Sequence, residues 1–299
     1  MLPMRLFRKS PDLRRAQLRP LTGADLAAAS RLLHESLRHY YALSISELPA
    51  LLEAGHGVAL EIDTGLYGIA LAGRPTGGAC WLRLLAVADG LAVAPALTML
   101  LEALHQTVAV YGATTIFYAG DDGADAWMIP VLKPLGYQVE TEVIVYEKRY
   151  LNSPAVGNLA VVIRPAQAAD LDAVVRLDRR CFSPEWTKDD LILSSAIAQG
   201  PYFKLAESDG LIVGYAYASS HSGGYLLHLV RIAVDPERHG SGIGVRLLDD
   251  LVNFAVDHSA QLITLNTQAY NSRAQRLYHW FGFSPTGERQ PILRYRLPS

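Results

Sequence analysis

The 299-residue chain is poor in cysteine: Cys80 and Cys181 are the only two, and they lie far apart. That supplies neither a disulfide framework nor the close cysteine pairs of a zinc site, so no metal is expected. A charge excess is also missing. Twenty-seven Lys and Arg stand against 29 Asp and Glu, a net charge of −2, which denies the chain the basic field that nucleic-acid binding requires. No run approaches the ~18 consecutive apolar residues of a membrane span. The opening stretch MLPMRLFRKSPDLRRAQLRP is basic but is followed by no apolar h-region, so it reads as a solvated tail over 1–17 and not as a secretory signal. With 50% hydrophobic and 19% charged residues the composition is that of an ordinary globular protein. These absences point to a soluble cytoplasmic chain with neither nucleic acid nor membrane as partner, and the length suggests two domains.

What the chain does contain is a repeat. RPLTGADLAAASRL from Arg19 and RPAQAADLDAVVRL from Arg164 lie 145 residues apart. They agree at Arg19/Arg164, Pro20/Pro165, Ala24/Ala169, Asp25/Asp170, Leu26/Leu171, Ala28/Ala173, Arg31/Arg176 and Leu32/Leu177. LGY at 135–137 matches FGF at 281–283, and both halves finish in a β-like run, VETEVIVYEK and QPILRYRL. YLNSPAVGNLA at 150–160 has the Asn, Ser, Pro and Gly content of a linker. The expected division is a basic tail over 1–17, one domain over 18–150, a linker over 151–160 and a second domain over 161–299. Hydrophobic periodicity in the second domain predicts the order β-α-α-β-β-β-α-β-α-β.

The sharpest motif is IAVDPERHGSGIGVRLLDDL. A hydrophobic strand ends at Val234, a turn starts at Pro236, and Gly240, Ser241, Gly242 and Gly244 lead into a helix. Glycines let backbone approach a phosphate, and the unpaired N–H groups and dipole of a helix start favour an anion. No Lys-Ser/Thr follows the glycines as in a P-loop, and the unit lies deep in its domain, unlike the first βαβ of a dinucleotide fold. Read alone, the turn is equally compatible with a corner that holds nothing.

This run, with NSRAQRLYHWFGF from Asn271, resembles the GNAT (N-acetyltransferase) superfamily over 160–297 and, through the repeat, more weakly over 18–150. CFSPEW and the C-terminal motif are similar to ribosomal-protein alanine N-acetyltransferases, and the tandem layout is similar to mycothiol synthase. The resemblance implies an α+β (mixed α/β) class: two tandem GNAT folds, each a mixed, mainly antiparallel sheet flanked by helices. It implies an acyltransferase in which the second domain moves the acetyl group of acetyl-CoA, a cosubstrate, to a primary amine of a small molecule or peptide N-terminus by direct attack. The alternative is a non-catalytic CoA-binding or protein-interaction module. A homodimer is left open.

Carried residue by residue, the resemblance puts the pyrophosphate amides on Gly240, Ser241, Gly242, Ile243, Gly244 and Val245, with His239 where the family has Gln or Arg. Ile232, Ala233 and Val234 fall on the strand that bonds pantetheine, with the Val234 N–H as oxyanion donor. Asn271 falls on a CoA contact and also suits a helix N-cap. Tyr278 falls on the family's tyrosine, a phenol able to protonate the departing thiolate. Asn266 occupies the place of a basic Glu and cannot take a proton. His228, six residues before Val234, is put on the same face by strand alternation, and that strand position carries a Glu or His base in histone and arylalkylamine acetyltransferases. A core or rim histidine between Leu227 and Leu229 fits the pattern as well. Phe182, Glu185 and Trp186, with Tyr202, fall where the family covers the acceptor, and aromatic core cover explains them equally. In the first half WLRLLAVADGLAVAPALTMLLEAL offers Gly90 alone, and Leu132 pairs with Tyr278. That half reads as a degenerate copy without catalysis.

Overall fold

The computed structural model describes residues 11–43 and 47–298, so the first ten residues of the expected basic tail lie outside the described residues. The rest of that tail is built in earlier than expected: Leu13–Arg15 forms a 3-10 turn capped by Asp12, and the first strand begins at Ala16. The chain divides into two compact units, Met1–Glu140 with Pro291–Ser299, and Thr141–Gln290.

The first unit contains β1 (Ala16–Pro20), α1 (Leu26–Glu35), β2 (Arg38–Tyr41), α2 (Leu48–Glu53), β3 (Gly57–Ile62), β4 (Gly65–Ala72), β5 (Ala79–Val87), α3 (Val93–Val110), β6 (Thr115–Ala119), α4 (Asp125–Leu132) and the start of β7 (Gln138–Lys148). Its sheet runs β1-β3-β4-β5-β6, with β2 added along β5. The second unit continues with β8 (Val162–Pro165), α5 (Leu171–Cys181), α6 (Asp190–Gln199), β9 (Tyr202–Ser208), β10 (Leu211–His221), β11 (Leu226–Val234), α7 (Ile243–Asp257), β12 (Leu262–Gln268), α8 (Ser272–Trp280) and the start of β13 (Ser284–Arg296). Its sheet runs β8-β9-β10-β11-β12. In each sheet one pair is parallel, β5 with β6 and β11 with β12, and the other registers are antiparallel. The mixed, mainly antiparallel sheets and the order of elements in the second copy follow the sequence pattern.

The units are cut differently from the sequence copies. Residues 143–148 of β7 pair with β12 and complete the second sheet, whereas residues 292–296 of β13 pair with β6 and complete the first. Alternation along a strand shows which face is buried, and it leaves the neighbour unspecified. The domain boundary drawn through the linker therefore differs from the contact boundaries.

The repeat has a physical cause. Arg19 binds both Asp25 oxygens at 2.8 and 2.7 Å and Glu61 at 2.7 Å. Arg164 binds both Asp170 oxygens at 2.8 Å and Glu207 at 2.7 Å. In both copies the Asp also closes a capping box at the helix start. One Arg–Asp fork thus fixes strand, helix entry and neighbouring strand in each unit, which requires those residue types at that spacing.

In the second unit α7 and α8 cover one sheet face, where Leu247, Leu248, Leu251 and Tyr278 meet Leu227, Leu229, Ile263 and Leu265. Helices α5 and α6 cover the other, where Val174, Leu177 and Leu193 meet Phe203, Tyr215 and Ala233. β11 carries a bulge that breaks its alternation: Ala218 faces Leu229, Tyr217 faces Arg231, and Val230 is skipped. Val230 packs with the α5 core, and Arg231 turns to the same side, where its guanidinium meets the Asp178 carboxylate of α5 at 2.9 and 3.0 Å. Asp178 also accepts from the Tyr215 hydroxyl and, at 2.7 Å, from the Lys188 amide, while Arg231 donates to the Trp186 carbonyl and stacks on Phe182 at 3.5 Å.

Both charges are buried, Asp178 at 0% and Arg231 at 8% exposure. Removing either one strands the other in an apolar surround. Asp178→Leu and Arg231→Met singly are expected to lower stability by about 3–5 kcal/mol, and the double variant to recover much of that loss, read from denaturant midpoints of the four proteins.

Candidate active site

β11 and β12 pair in parallel only over Leu226–Leu229 and Leu262–Leu265. Past that point β12 stays with β7 and β11 stays with β10, so the two strands diverge and leave one backbone edge of β11 unpaired by β12. The Asp235 amide donates to Val213 on β10 at 2.9 Å. Alternation then sends the Ala233 amide toward β10 and the Ile232 and Val234 amides toward the open edge. Of the three residues expected on this edge, Ala233 faces away: its backbone serves the β10 ladder and its side chain belongs to the α5-side core. The Val234 carbonyl accepts from the Cys181 thiol at 3.3 Å and from His239 Nε2 at 3.0 Å.

The glycine turn carries the chain from this edge into α7. Gly240 and Gly242 adopt φ of +84° and +81°, and the left-handed Gly242 is the N-cap of α7. The Ser241 amide is already spent on the Arg238 carbonyl at 3.4 Å, a correction to its place in the expected amide set. The amides of Gly240, Gly242, Ile243, Gly244 and Val245 have no backbone partner among the described residues, which leaves five donors at the positive end of a 15-residue helix. His239, exposed, bridges β11 and α8: its Nε2–H holds the Val234 carbonyl, and Nδ1 accepts from Arg273 of α8 at 2.7 Å.

Tyr278 lies on α8 with its ring against Tyr146 and Phe283. Its hydroxyl has no hydrogen-bond partner among the described residues, and burial pushes its pKa above the ordinary phenol value, so it keeps its proton at neutral pH. Asn271 caps α8 through its Oδ1, which accepts from the Ala274 amide at 3.1 Å.

His228 does not share a face with Val234. The bulge at Val230 shifts the alternation by one, so the His228 side chain lies on the opposite side from Leu227, Leu229, Ile232 and Val234. There its Nδ1 is 2.9 Å from the Thr264 hydroxyl, and burial pushes its pKa down to about 4, so the ring is neutral at pH 7. Asn266 is exposed on the same side of β12. Glu147 of β7, opposite Thr264, is the carboxylate that register brings to this face, and Arg149 holds it at 2.9 Å. Phe182 and Trp186 meet Arg231 at the edge of this face, and Glu185 accepts from Ser183 at 2.7 Å. Tyr202 does not belong here: its hydroxyl bonds Asp250 of α7 at 2.9 Å, so it is a core strut on the other side of the sheet.

Sequence reasoning missed Arg231, Asp178 and Asn158. A charged residue inside the apolar run LVRIAV was the available signal for the first two. Asn158 gave none, since its partners Ser241 and Gly242 are remote in sequence.

At the equivalent place in the first unit, β5 bulges at Arg83 and parts from β6 after Trp81 and Phe117. Here the edge is taken. β2 pairs along Leu84–Val87, and the buried Tyr40 ring lies 4.9 Å from Tyr118 of β6, its hydroxyl 3.5 Å from the Leu82 carbonyl. Before α3 only Gly90 takes a positive φ, and the N-cap Ala92 provides no side-chain bond.

Residues 171–283 match the acetyltransferase (GNAT) family. The chain is 33% identical over 124 residues to an uncharacterised N-acetyltransferase of Methanocaldococcus jannaschii, covering 41% of this chain and 78% of that protein. It is 28% identical over 134 residues to a candidate ribosomal-protein bS18 alanine N-acetyltransferase of Bacillus subtilis, 43% of this chain and 83% of that one. To the mycothiol acetyltransferase of Acidimicrobium ferrooxidans it is 27% identical over 284 residues, 89% and 90% of the two chains. Among solved structures, a tandem GNAT protein from the clavulanic acid biosynthesis pathway superposes with a TM-score of 0.63 at 13% identity, covering 95% of this chain and 99% of that one, a likeness of fold. With its mixed sheet, its diverging strands and this relationship, the chain belongs to the GNAT acetyltransferase family and is an acyltransferase.

Proposed function

We propose that the second unit transfers the acetyl group of acetyl-CoA to the α-amine of an amino acid, small molecule or peptide. The observation that carries this reading is the set of five unpartnered amides at the start of α7, directly after the open edge of β11. Those amides and the helix dipole take the pyrophosphate. The pantetheine arm bonds the Ile232 and Val234 edge as an added strand would, and the Val234 N–H polarises the thioester carbonyl. The amine attacks the carbonyl carbon, a C–N bond forms, the C–S bond breaks, and Tyr278 passes its phenolic proton to the departing thiolate. The proton lost from the attacking nitrogen as the amide forms goes to water, and Tyr278 regains its proton from solvent.

The acceptor class follows from what the site offers as a base. Asn266 holds no proton, His228 is depressed to about 4, and Glu147 is paired with Arg149. Delivering a neutral amine at pH 7 costs about 1 kcal/mol for an α-amine and about 4–5 kcal/mol for a lysine, from their ordinary pKa values. A site with so weak a base suits the first. The alanine N-acetyltransferase among the relatives acts, by its name, on such an amine. The first unit contributes no second centre in this reading, because β2 and Tyr40 fill its edge.

Three outcomes test the proposal. Isothermal titration is expected to give one acetyl-CoA per chain, and Ser241→Asp, an exposed change that puts a carboxylate beside the anion, to weaken binding at least tenfold; two sites per chain, or an undiminished affinity, would contradict it. Tyr278→Phe is expected to lower kcat by about 10²–10⁴-fold with little change in acetyl-CoA affinity. The pH profile of kcat/KM for an α-amine acceptor is expected to rise with pH and level off near the acceptor's own pKa of about 7.7–8.0. Because His228 already lies neutral above its depressed pKa of about 4, no inflection is expected near 6.5, and His228→Gln should leave the position of the curve unchanged.

A further inference from the structure

Gly157 and Asn158, at the end of the segment that reads as a spacer, are built into the anion loop. The Asn158 side-chain Nδ2 donates to the Ser241 carbonyl at 2.9 Å, and its backbone amide donates to the Gly242 carbonyl at 3.3 Å. Its Oδ1 is occupied in turn by the Ala160 amide at 3.0 Å, which fixes the side-chain orientation. Gly157, at φ +80°, makes the approach possible: a Cβ there would stand 2.4 Å from the Arg246 amide nitrogen and 2.8 Å from the Gly242 carbonyl oxygen.

We infer that Asn158 is a positioning residue that aims the loop's amides at the anion, an inference that rests on the proposed binding of the acetyl-CoA pyrophosphate. In a planar trans peptide the N–H points opposite to the C=O across the same bond. Drawing the Ser241 and Gly242 carbonyls toward Asn158 therefore turns the Gly242 and Ile243 N–H groups to the other side, which is the side the pyrophosphate takes. The Gly242 carbonyl has a second hold, the Arg246 amide of the first helical turn at 3.0 Å. Ser241 has no such second backbone hold among the described residues, and its peptide joins a residue that glycine leaves free to rotate. Without Asn158 the Ser241–Gly242 peptide can flip and present its oxygen where the phosphate oxygens sit. The residue touches no reacting atom, so its effect belongs to one part of the ligand.

Acetyl-pantetheine lacks the pyrophosphate and keeps the reacting end, which makes it the discriminating probe. Asn158→Ala is expected to raise the Kd and KM of acetyl-CoA about tenfold, the size of one lost hydrogen bond, with kcat at saturating acetyl-CoA retained and the acetyl-pantetheine Kd changed less than twofold. Asn158→Ser keeps a side-chain oxygen able to accept from the Ala160 amide, removes the Nδ2 donor to Ser241 and adds no charge, so the same selective loss is expected even where the alanine variant folds poorly. Equal losses for both probes, or no loss for acetyl-CoA in the folded serine variant, would overturn the positioning role and leave the loop assignment standing. A wild-type protein that binds acetyl-CoA no better than acetyl-pantetheine would remove the loop assignment itself, and the inference with it.

Discussion

Burying the Arg231 guanidinium demands a carboxylate, and Asp178 supplies it from α5. The demand shapes the second unit. Arg231 reaches Asp178 because the bulge at Val230 rotates it onto the α5 face, and the same rotation leaves Ile232 and Val234 with side chains toward α7 and amides toward the open edge. The pair also holds the segment after α5, through the Trp186 carbonyl, the Lys188 amide and the Phe182 ring. One buried ion pair thus couples the open backbone edge to the segment that follows α5.

The first unit shows that the same framework does not by itself make a site. It repeats the Arg–Asp fork, the parallel strand pair, the bulge and the divergence. What differs is the chain between α1 and β3. There, β2 adds itself to the diverging strand and lays Tyr40 into the gap, whereas the corresponding stretch after α5 forms a 3-10 turn at Pro184–Trp186. Backbone groups at an unpaired strand edge must find donors and acceptors somewhere. The first unit satisfies them with β2, whereas in the second no strand pairs with this edge of β11 beyond Leu229 among the described residues, and the Val234 carbonyl accepts from Cys181 and His239.

Much of this was legible in the sequence because it depends on local rules. The element order followed from periodicity, and the glycine turn announced its left-handed residues. The Asn271 cap and the recurring Arg and Asp of each copy lay in short spacings, although the pairing of those two residues came only with the structure. What the sequence hid was non-local. Alternation put His228 beside Val234 because a bulge in an apolar strand leaves no trace in a run such as LLHLVRIAV. Tyr202 passed for an acceptor contact because its partner Asp250 is 48 residues away. The partners of β7 and β13 were invisible for the same reason: each strand's pattern is satisfied by either sheet.

His239 shows how a departure from the family pattern is absorbed. The family's Gln or Arg stands at this position, and a histidine is shorter. Its two ring nitrogens tie together the three elements that must stay in register, the Val234 carbonyl on β11, the loop itself, and Arg273 at the start of α8. Fixing the Val234 carbonyl orients that end of β11, and α8 carries Tyr278. The chain's balanced charge is compatible with a polyanionic ligand for the same reason: oriented amides and a helix end carry partial positive charge where it is needed, so neither a lysine-rich patch nor a charged residue at position 239 is required.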